Sequence, residues 1–214
     1  MKQRSKRGRF ISLEGLEGVG KSTHMEFVSD WLRKQGLTVV ATREPGGTPE
    51  ADEIRATLLK VRGGAFDPMA ELLLMFAARA VHVERLIRPV LAAGTWVLCD
   101  RFTDASYAYQ GGGRGIPTAR IAALERMVQK GLKPDLTLLL DAGVEVGMAR
   151  VRSRGSLDRF EQEQDAFFRR VRRVYLARAR REPRRIKVVD AGGDITAVQT
   201  DIATILARSL ARWK

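Results

Sequence analysis

The run Gly15-Leu16-Glu17-Gly18-Val19-Gly20-Lys21-Ser22 constrains this chain more than any other stretch. It has the spacing of a phosphate-binding loop: Gly, four residues, then Gly-Lys-Ser. Ahead of it, residues 10–14 are mostly apolar and read as a buried strand. Behind it, residues 22–35 carry Met25, Val28, Trp31 and Leu32 at helical spacing. The motif needs this order of strand, glycine-rich turn and helix. Glycines let successive backbone N–H groups turn inward around phosphate oxygens, and the helix N-terminus adds partial positive charge. In that setting Lys21 would reach the β- and γ-phosphates of a bound nucleotide. Ser22 would offer its hydroxyl to Mg²⁺, with Thr23 beside it.

The rest of the chain alternates between the two kinds of element. Strands are expected at residues 37–42, 95–100, 135–141 and 185–190, each a nearly continuous apolar run. Helices are expected at 50–60, 69–93, 101–110, 118–129, 145–154, 163–182 and 195–211. A turn is expected at 43–48, breaks at 63–67 and 155–161, and the glycine run 111–115 is expected to end the helix before it. This predicts an α/β fold with a five-stranded parallel sheet flanked by helices and ligands at the carboxyl ends of the strands. Residues 1–8 read as a disordered basic tail and 9–214 as one domain with a short arginine-rich lid at about 150–161.

Composition removes some alternatives. The most apolar stretch, from Leu72 to Val83, is interrupted by Arg79 and His82, so no membrane span is expected. The basic N-terminus has no apolar segment behind it and does not read as a secretory signal. Cys99 is the single cysteine, which excludes an internal disulfide, suits the cytoplasm, and reads as buried filler. His24 and His82 lack partners at metal-ligand spacing and read as structural. The net charge of +13 invites a nucleic-acid reading. The basic residues gather in the N-terminal tail and along 169–185 without interleaved aromatics, so they read instead as a tail, a solvated helix face and a site for polyanions.

A phosphate loop serves switch GTPases, nucleic-acid-dependent ATPases and small-molecule kinases. The chain contains no asparagine, and therefore no Asn-Lys-x-Asp guanine reader. A kinase needs an acceptor pocket, arginines that neutralise two phosphate chains, and a lid that excludes water. Asp100-Arg101 ends a strand, where the Asp could hold Mg²⁺ through water and the Arg could face an acceptor phosphate. Arg150, Arg152, Arg154 and Arg159 crowd the break around Gly155, as a lid over a transferring phosphoryl group requires. Phe76 and Arg79, one turn apart, offer a flat face and a bidentate donor for a base.

On these blocks the chain resembles bacterial thymidylate kinases from about Arg9 onward. The resemblance rests on Leu13 to Thr23, on Thr42-Arg43-Glu44-Pro45-Gly46-Gly47-Thr48, and on Leu74-Met75-Phe76-Ala77-Ala78-Arg79. It continues with Asp100-Arg101-Phe102, Tyr109-Gln110-Gly111-Gly112-Gly113-Arg114-Gly115, Pro134-Asp135-Leu136-Thr137, and the block from Arg154 to Glu161. It implies transfer of the ATP γ-phosphoryl group to dTMP, a Mg²⁺ cofactor at Ser22 and Asp100, and a homodimer packed through helices. It places Glu17 near the deoxyribose 3′-hydroxyl and Glu44-Pro45, with a cis bond, and Arg55 along the acceptor site. Arg101 would hold the acceptor phosphate, and Arg79, Ser106 and Gln110 would read the base. Tyr109 would close the sugar face, and Ala191-Gly192 would pass under the adenine. Gly18 stands where eukaryotic-type relatives carry an arginine, so the catalytic arginine is expected in the lid: Arg154 first, Arg159 second. Met75 holds the place of the usual stacking Phe, and Phe76 is preferred as the stacking face because it is aromatic. Another nucleoside monophosphate kinase, or a nucleic-acid-associated ATPase, would be the alternative.

Overall fold

The computed structural model describes residues 7–60, 66–152 and 158–213. Five strands form one parallel sheet: β1 (Phe10–Gly15), β2 (Val39–Arg43), β3 (Trp96–Asp100), β4 (Leu136–Asp141) and β5 (Ile186–Asp190), in the order β2-β3-β1-β4-β5. The helices are α1 (Lys21–Lys34), α2 (Pro49–Leu59), α3 (Pro68–His82), α4 (Arg88–Ala92), α5 (Thr103–Ser106), α6 (Thr118–Gln129), α7 (Val144–Arg152), α8 (Asp165–Arg181) and α9 (Ile195–Trp213). The central strand β1 is buried along its whole length, as its apolar run requires, and its register sets Leu13 beside Asp100 and Gly15 beside Leu140. The loop that follows β1 therefore emerges between the ends of β3 and β4, the switch point of the sheet.

Local chemistry sets the helix starts. The Thr48 hydroxyl accepts from the Ala51 amide (3.3 Å), and Asp67 accepts from Met69 and Ala70 (2.9 and 3.0 Å). Pro49 and Pro68 occupy the first turns, where a missing N–H costs nothing, so both helices start one residue earlier than expected.

The structure departs from expectation in three places. The helix expected over 69–93 contains a widened π turn, Val83–Ile87, directly ahead of Pro89, which cannot donate to a preceding carbonyl. The expected 101–110 helix starts only at Thr103, because Arg101 adopts φ 67°, and it continues as a π-helical segment Tyr107–Gly113 through the glycine run. Those glycines give α8 room. A Cβ on Gly113 would lie 2.4 Å from the Phe167 ring, and one on Gly112 would lie 2.6 Å from Val174. Ordered structure also begins before the end of the predicted tail. Gly8 is buried and donates to Leu91 O at 2.9 Å, and Arg9 pairs with Asp135 at 3.0 Å; residues 1–6 lie outside the described range. Among the described residues no helix is long and apolar enough to cross a membrane.

Two buried carboxyls hold the sheet to α8. Glu14 on β1 accepts from the Phe102 amide (2.7 Å) and from the Tyr175 hydroxyl (2.7 Å). Burial, reinforced by the charge of nearby Asp104, raises its pKa from 4.5 to about 8. Asp104 takes the opposite course. Arg178 reaches it at 2.6 Å and Arg185 at 2.6 and 3.0 Å. Burial opposes its charge, but the hydrogen bonds and charges of Arg185 and Arg178 outweigh burial and lower its pKa.

Asp104→Asn removes a buried charge that pairs with two half-buried guanidinium groups and should destabilise the fold by about 3 kcal/mol at neutral pH. Because the folded pKa of Asp104 is depressed, this contribution is present above the unfolded value and lost as pH falls through the folded one. The gap between variant and wild type in urea unfolding should therefore close in acid, and a gap independent of pH would refute the pairing. Glu14 has the reverse sign. Between 4.5 and about 8 the folded state keeps a proton that the unfolded chain has lost, so stability falls as pH rises. Glu14→Gln should remove a slope of up to about 1.4 kcal/mol per pH unit across that window; urea midpoints at several pH values test it.

Candidate active site

At the carboxyl ends of β1 and β3 lies a cavity of about 250 Å³, small for a ligand site and fit for one compact ligand. Most of the residues singled out from the sequence line it. The loop contributes Glu17, Gly18, Gly20, Lys21, Ser22 and Thr23, and the turn after β2 contributes Glu44 and Pro45. Arg55 of α2, Met75 and Arg79 of α3, Asp100, Arg101, Ser106, Tyr109 and Gln110 complete that set. Gly15, Leu16 and Val19 form the loop's buried underside.

The loop is tightly held. Gly18 has φ 72°, and a Cβ there would lie 2.0 Å from the carbonyl of Gly147 on α7. No side chain fits at either glycine, since a Cβ on Gly147 would lie 2.6 Å from Glu17 O. Arg150, one turn along α7, donates to Gly18 O at 3.4 Å. Lys21 folds back onto its own loop, donating to Leu16 O (2.7 Å) and Gly15 O (3.4 Å). Burial, with the charge of Arg101 second, lowers its pKa to about 8. It is an ammonium in want of an anion.

Arg101 is positioned by its left-handed backbone, a conformation a non-glycine residue rarely takes. Its guanidinium donates to Gly15 O (2.7 Å), Tyr175 Oη (3.2 Å) and Glu17 Oε1 (2.8 Å), and it lies 4.8 Å from the Tyr109 ring centre. Tyr109 donates to both Glu17 oxygens, at 2.8 and 2.6 Å. Loop, strand end and helix thus converge on one charged cluster.

A second cluster lines the same cavity. The Glu44–Pro45 bond is cis, and Arg55 donates to Pro45 O at 2.9 Å. Glu44 accepts from Arg79 Nε at 2.6 Å, and its other oxygen meets His82 Nδ1 at 3.0 Å. The other nitrogen of His82 meets Thr42 Oγ1 at 2.8 Å, so His82 braces the turn after β2. Arg79 Nη1 donates to Ser106 at 3.0 Å. Its guanidinium is sandwiched between the rings of Phe76 (4.6 Å) and Phe102 (5.2 Å).

That sandwich corrects the expected role of Phe76. Phe76 is 2% exposed and does not line the cavity, whereas Met75, four residues before Arg79, does. The aromatic ring packs against the arginine, and Met75 lines the cavity. Arg159 is also placed elsewhere. It pairs with Glu71 at 2.7 Å and donates to Leu58 O at 2.9 Å, away from the cavity wall. Arg154 lies outside the described residues. Ala191 and Gly192 follow β5 at the same end of the sheet but do not line the cavity.

Several participants were not picked out from the sequence. Asp158, Phe160 and Glu161 line the cavity, with Asp158 accepting from the Phe160 and Glu161 amides at 2.8 and 3.0 Å. The block from Arg154 to Glu161 carried that signal. Glu14 and Glu71 are buried carboxylates on apolar elements and Tyr175 is a buried tyrosine on arginine-rich α8, and no local pattern marks them.

For a metal, the donor chemistry fits. Asp100 Oδ1 is buried and has no hydrogen-bond partner among the described residues, and the Ser22 side chain is exposed in the same cavity. A carboxylate and a hydroxyl, completed by phosphate oxygens and water, suit Mg²⁺.

Comparison with known proteins bears on the family of the whole chain. The sequence profile described as Thymidylate kinase matches residues 13–202. The thymidylate kinase of Chromohalobacter salexigens is 59% identical over 208 residues, covering 96% of this chain and 98% of that protein. That of Pseudomonas putida is 58% identical over 205 residues, covering 96% and 99%. The crystal structure of thymidylate kinase from Ehrlichia chaffeensis superposes with a TM-score of 0.76 at 32% identity, covering 94% of this chain and 99% of that one. Matched along nearly its whole length in profile, sequence and structure, the chain belongs to the thymidylate kinase family.

Proposed function

We propose that this chain is the kinase that transfers the γ-phosphoryl group of ATP to the 5′-phosphate of dTMP, giving dTDP. The observation that carries the acceptor side is the cavity itself. Arg101, which is held to Glu17 on the loop beside Tyr109, and Arg79, which is held between Glu44 and Ser106, line one and the same cavity, and in this reading the first takes the phosphate, Glu17 and Tyr109 the sugar, and the second the base. Those are the three parts of a nucleoside monophosphate that an acceptor site has to hold.

The acceptor oxygen is already anionic, so no strong general base is required, and the protein's task is positioning and charge neutralisation. The loop amides from Gly15 to Thr23 and Lys21 hold the donor phosphates. Lys21 exchanges its carbonyl partners for phosphate oxygens, and its lowered pKa of about 8 is restored by the anion. Arg101 leaves its Glu17 contact to share the acceptor phosphate, which frees the Glu17 carboxylate for the sugar 3′-hydroxyl. Tyr109 covers the sugar face. Arg55 and Pro45 close the wall, and Met75, Arg79, Ser106 and Gln110 surround the base. Ser22 and Asp100 would hold Mg²⁺, which when bound neutralises charge between the β- and γ-phosphates. Ala191-Gly192 would border the adenine.

Residues 150–161 act as the lid in this reading. Arg159 is committed to Glu71, so Arg154 is the arginine assigned to the transferring group. A homodimer is also proposed: Leu73 on α3 is 51% exposed and Met127 on neighbouring α6 is 70% exposed, a combination that suits a helical interface. A cytoplasmic location suits an enzyme that draws on nucleotide pools and carries one unpaired, buried thiol at Cys99.

A coupled ADP-release assay across nucleoside monophosphates tests the reaction. Turnover should be strong with dTMP, weaker with dUMP and slight with the rest. ATP hydrolysis stimulated by nucleic acid, without turnover of any acceptor, would overturn it. Arg154→Ala should lower kcat by about 100-fold or more with little change in nucleotide binding. Unchanged turnover in that variant would remove Arg154 from the mechanism.

A further inference from the structure

We infer that Glu71 is a specificity-determining positioning residue: it orients the side-chain amide of Gln110 so that the site accepts a base carrying a ring N–H and rejects one carrying a ring-nitrogen lone pair. The inference rests on the dTMP reading above and extends it to a residue that does not line the cavity.

Glu71 lies on α3 with 0% of its surface exposed. Its carboxylate holds three donor side chains from two separate parts of the chain. Gln110 Nε2 donates to Oε1 at 2.9 Å, Arg114 Nε reaches both oxygens at 3.3 Å, and Arg159 Nη1 reaches Oε2 at 2.7 Å. A carboxylate held by two guanidinium groups can only accept, so the Gln110 amide must turn its NH₂ toward Glu71. Among the described residues no donor reaches Gln110 Oε1. Gln110 is itself 2% exposed and belongs to the cavity wall. The amide therefore presents an acceptor to the ligand.

Arg79 supplies the complement. Its Nε is taken by Glu44 and its Nη1 by Ser106, and among the described residues its Nη2 has no acceptor. The wall thus offers one donor and one acceptor. Thymine presents a carbonyl oxygen at C4 and an N–H at N3, which match that pair. Cytosine presents an amino group and a bare N3, which oppose both. A site that hydrogen-bonds one pattern penalises the reversed one because its buried polar groups are left unpaired.

Glu71→Gln tests the orienting role. The new amide keeps its carbonyl toward Arg114 and Arg159 and turns its NH₂ toward Gln110. Gln110 then offers Oε1 to that NH₂ and presents Nε2 to the ligand. The ratio of kcat/KM for dTMP to that for dCMP should fall roughly 10- to 100-fold, mostly through loss of dTMP activity. In a Gln110→Ala background the same substitution should leave the ratio where Gln110→Ala alone puts it, since the effect passes through Gln110. A merely structural role would lower both acceptors by the same factor, or would act equally in the Gln110→Ala background; either result overturns the inference. Should Glu71→Gln fold poorly by its melting temperature, Glu71→Asp keeps a carboxylate for the arginines but draws it back from Gln110. It should lower the ratio in the same direction, and an unchanged ratio would again refute the role. The wild-type control separates the two readings: a wild type that does not prefer dTMP refutes the proposed acceptor, and the inference falls with it, whereas a wild type that does prefer it with an unaltered Glu71→Gln ratio refutes the inference alone.

Discussion

The structure depends on how Arg101 is held. In the proposed reaction this guanidinium meets a phosphate, so it has to be charged, desolvated and fixed before the ligand arrives, and each condition is unfavourable alone. The fold meets them together. The left-handed backbone at Arg101 turns the side chain back under the loop, where Gly15 O, Tyr175 Oη and Glu17 share its protons. Tyr175 in turn donates to Glu14, which also takes the Phe102 amide immediately after Arg101. One buried carboxyl therefore fixes both the backbone beside the arginine and the phenol beneath its head. Because that carboxyl titrates near 8, it does so without placing a full negative charge against the phosphate site over most of the physiological range.

The loop is secured by space as much as by charge. Gly18 and Gly147 approach so closely that neither position admits a Cβ. The loop with the phosphate-binding spacing is therefore pressed against α7, the helix that leads into the proposed lid. Arg150 adds a hydrogen bond to the same carbonyl segment at 3.4 Å. A shift of the loop on nucleotide binding has to be passed to α7, because no compressible side chain lies between them. This gives the glycine at position 18 a physical meaning: a chain with this packing has no room for an arginine there, which supports the proposal of a catalytic arginine elsewhere.

How much of this could be read in advance follows from the range of each signal. The phosphate loop, the Arg-Glu-Pro-Gly-Gly-Thr turn and the strand-ending Asp100-Arg101 are contiguous, and contiguous chemistry is visible in sequence. The sheet followed from apolar runs that need cover on both faces. What escaped was long-range pairing. Glu71 stands in the apolar face of α3, where periodicity sees only an interruption, and its three partners come from 39, 43 and 88 positions away. Phe76 looked like a stacking face because it is aromatic, but Arg79 needed a ring beneath it more than the ligand did. The glycine run after Gln110 resembles a turn in composition, yet it is a helix surface cleared for Phe167 and Val174.

The same distinction resolves the charge of the chain. A net charge of +13 and an arginine-rich stretch at 169–185 resemble a nucleic-acid footprint when counted. In the fold, much of that arginine is already committed. Arg172 is bidentate on Asp141 at 2.7 and 2.8 Å, Arg178 and Arg185 clasp Asp104, and Arg170 reaches the carbonyls of Gly112 and Gly113. Arg79, Arg101, Arg114 and Arg159 are each paired with a carboxylate at or near the cavity. A lysine could not replace these residues, because most of them make contacts in two or more directions from one planar head. The excess of arginine thus reflects directed contacts made within the fold, and of these residues Arg79 and Arg101 line the cavity while the others brace the elements around it.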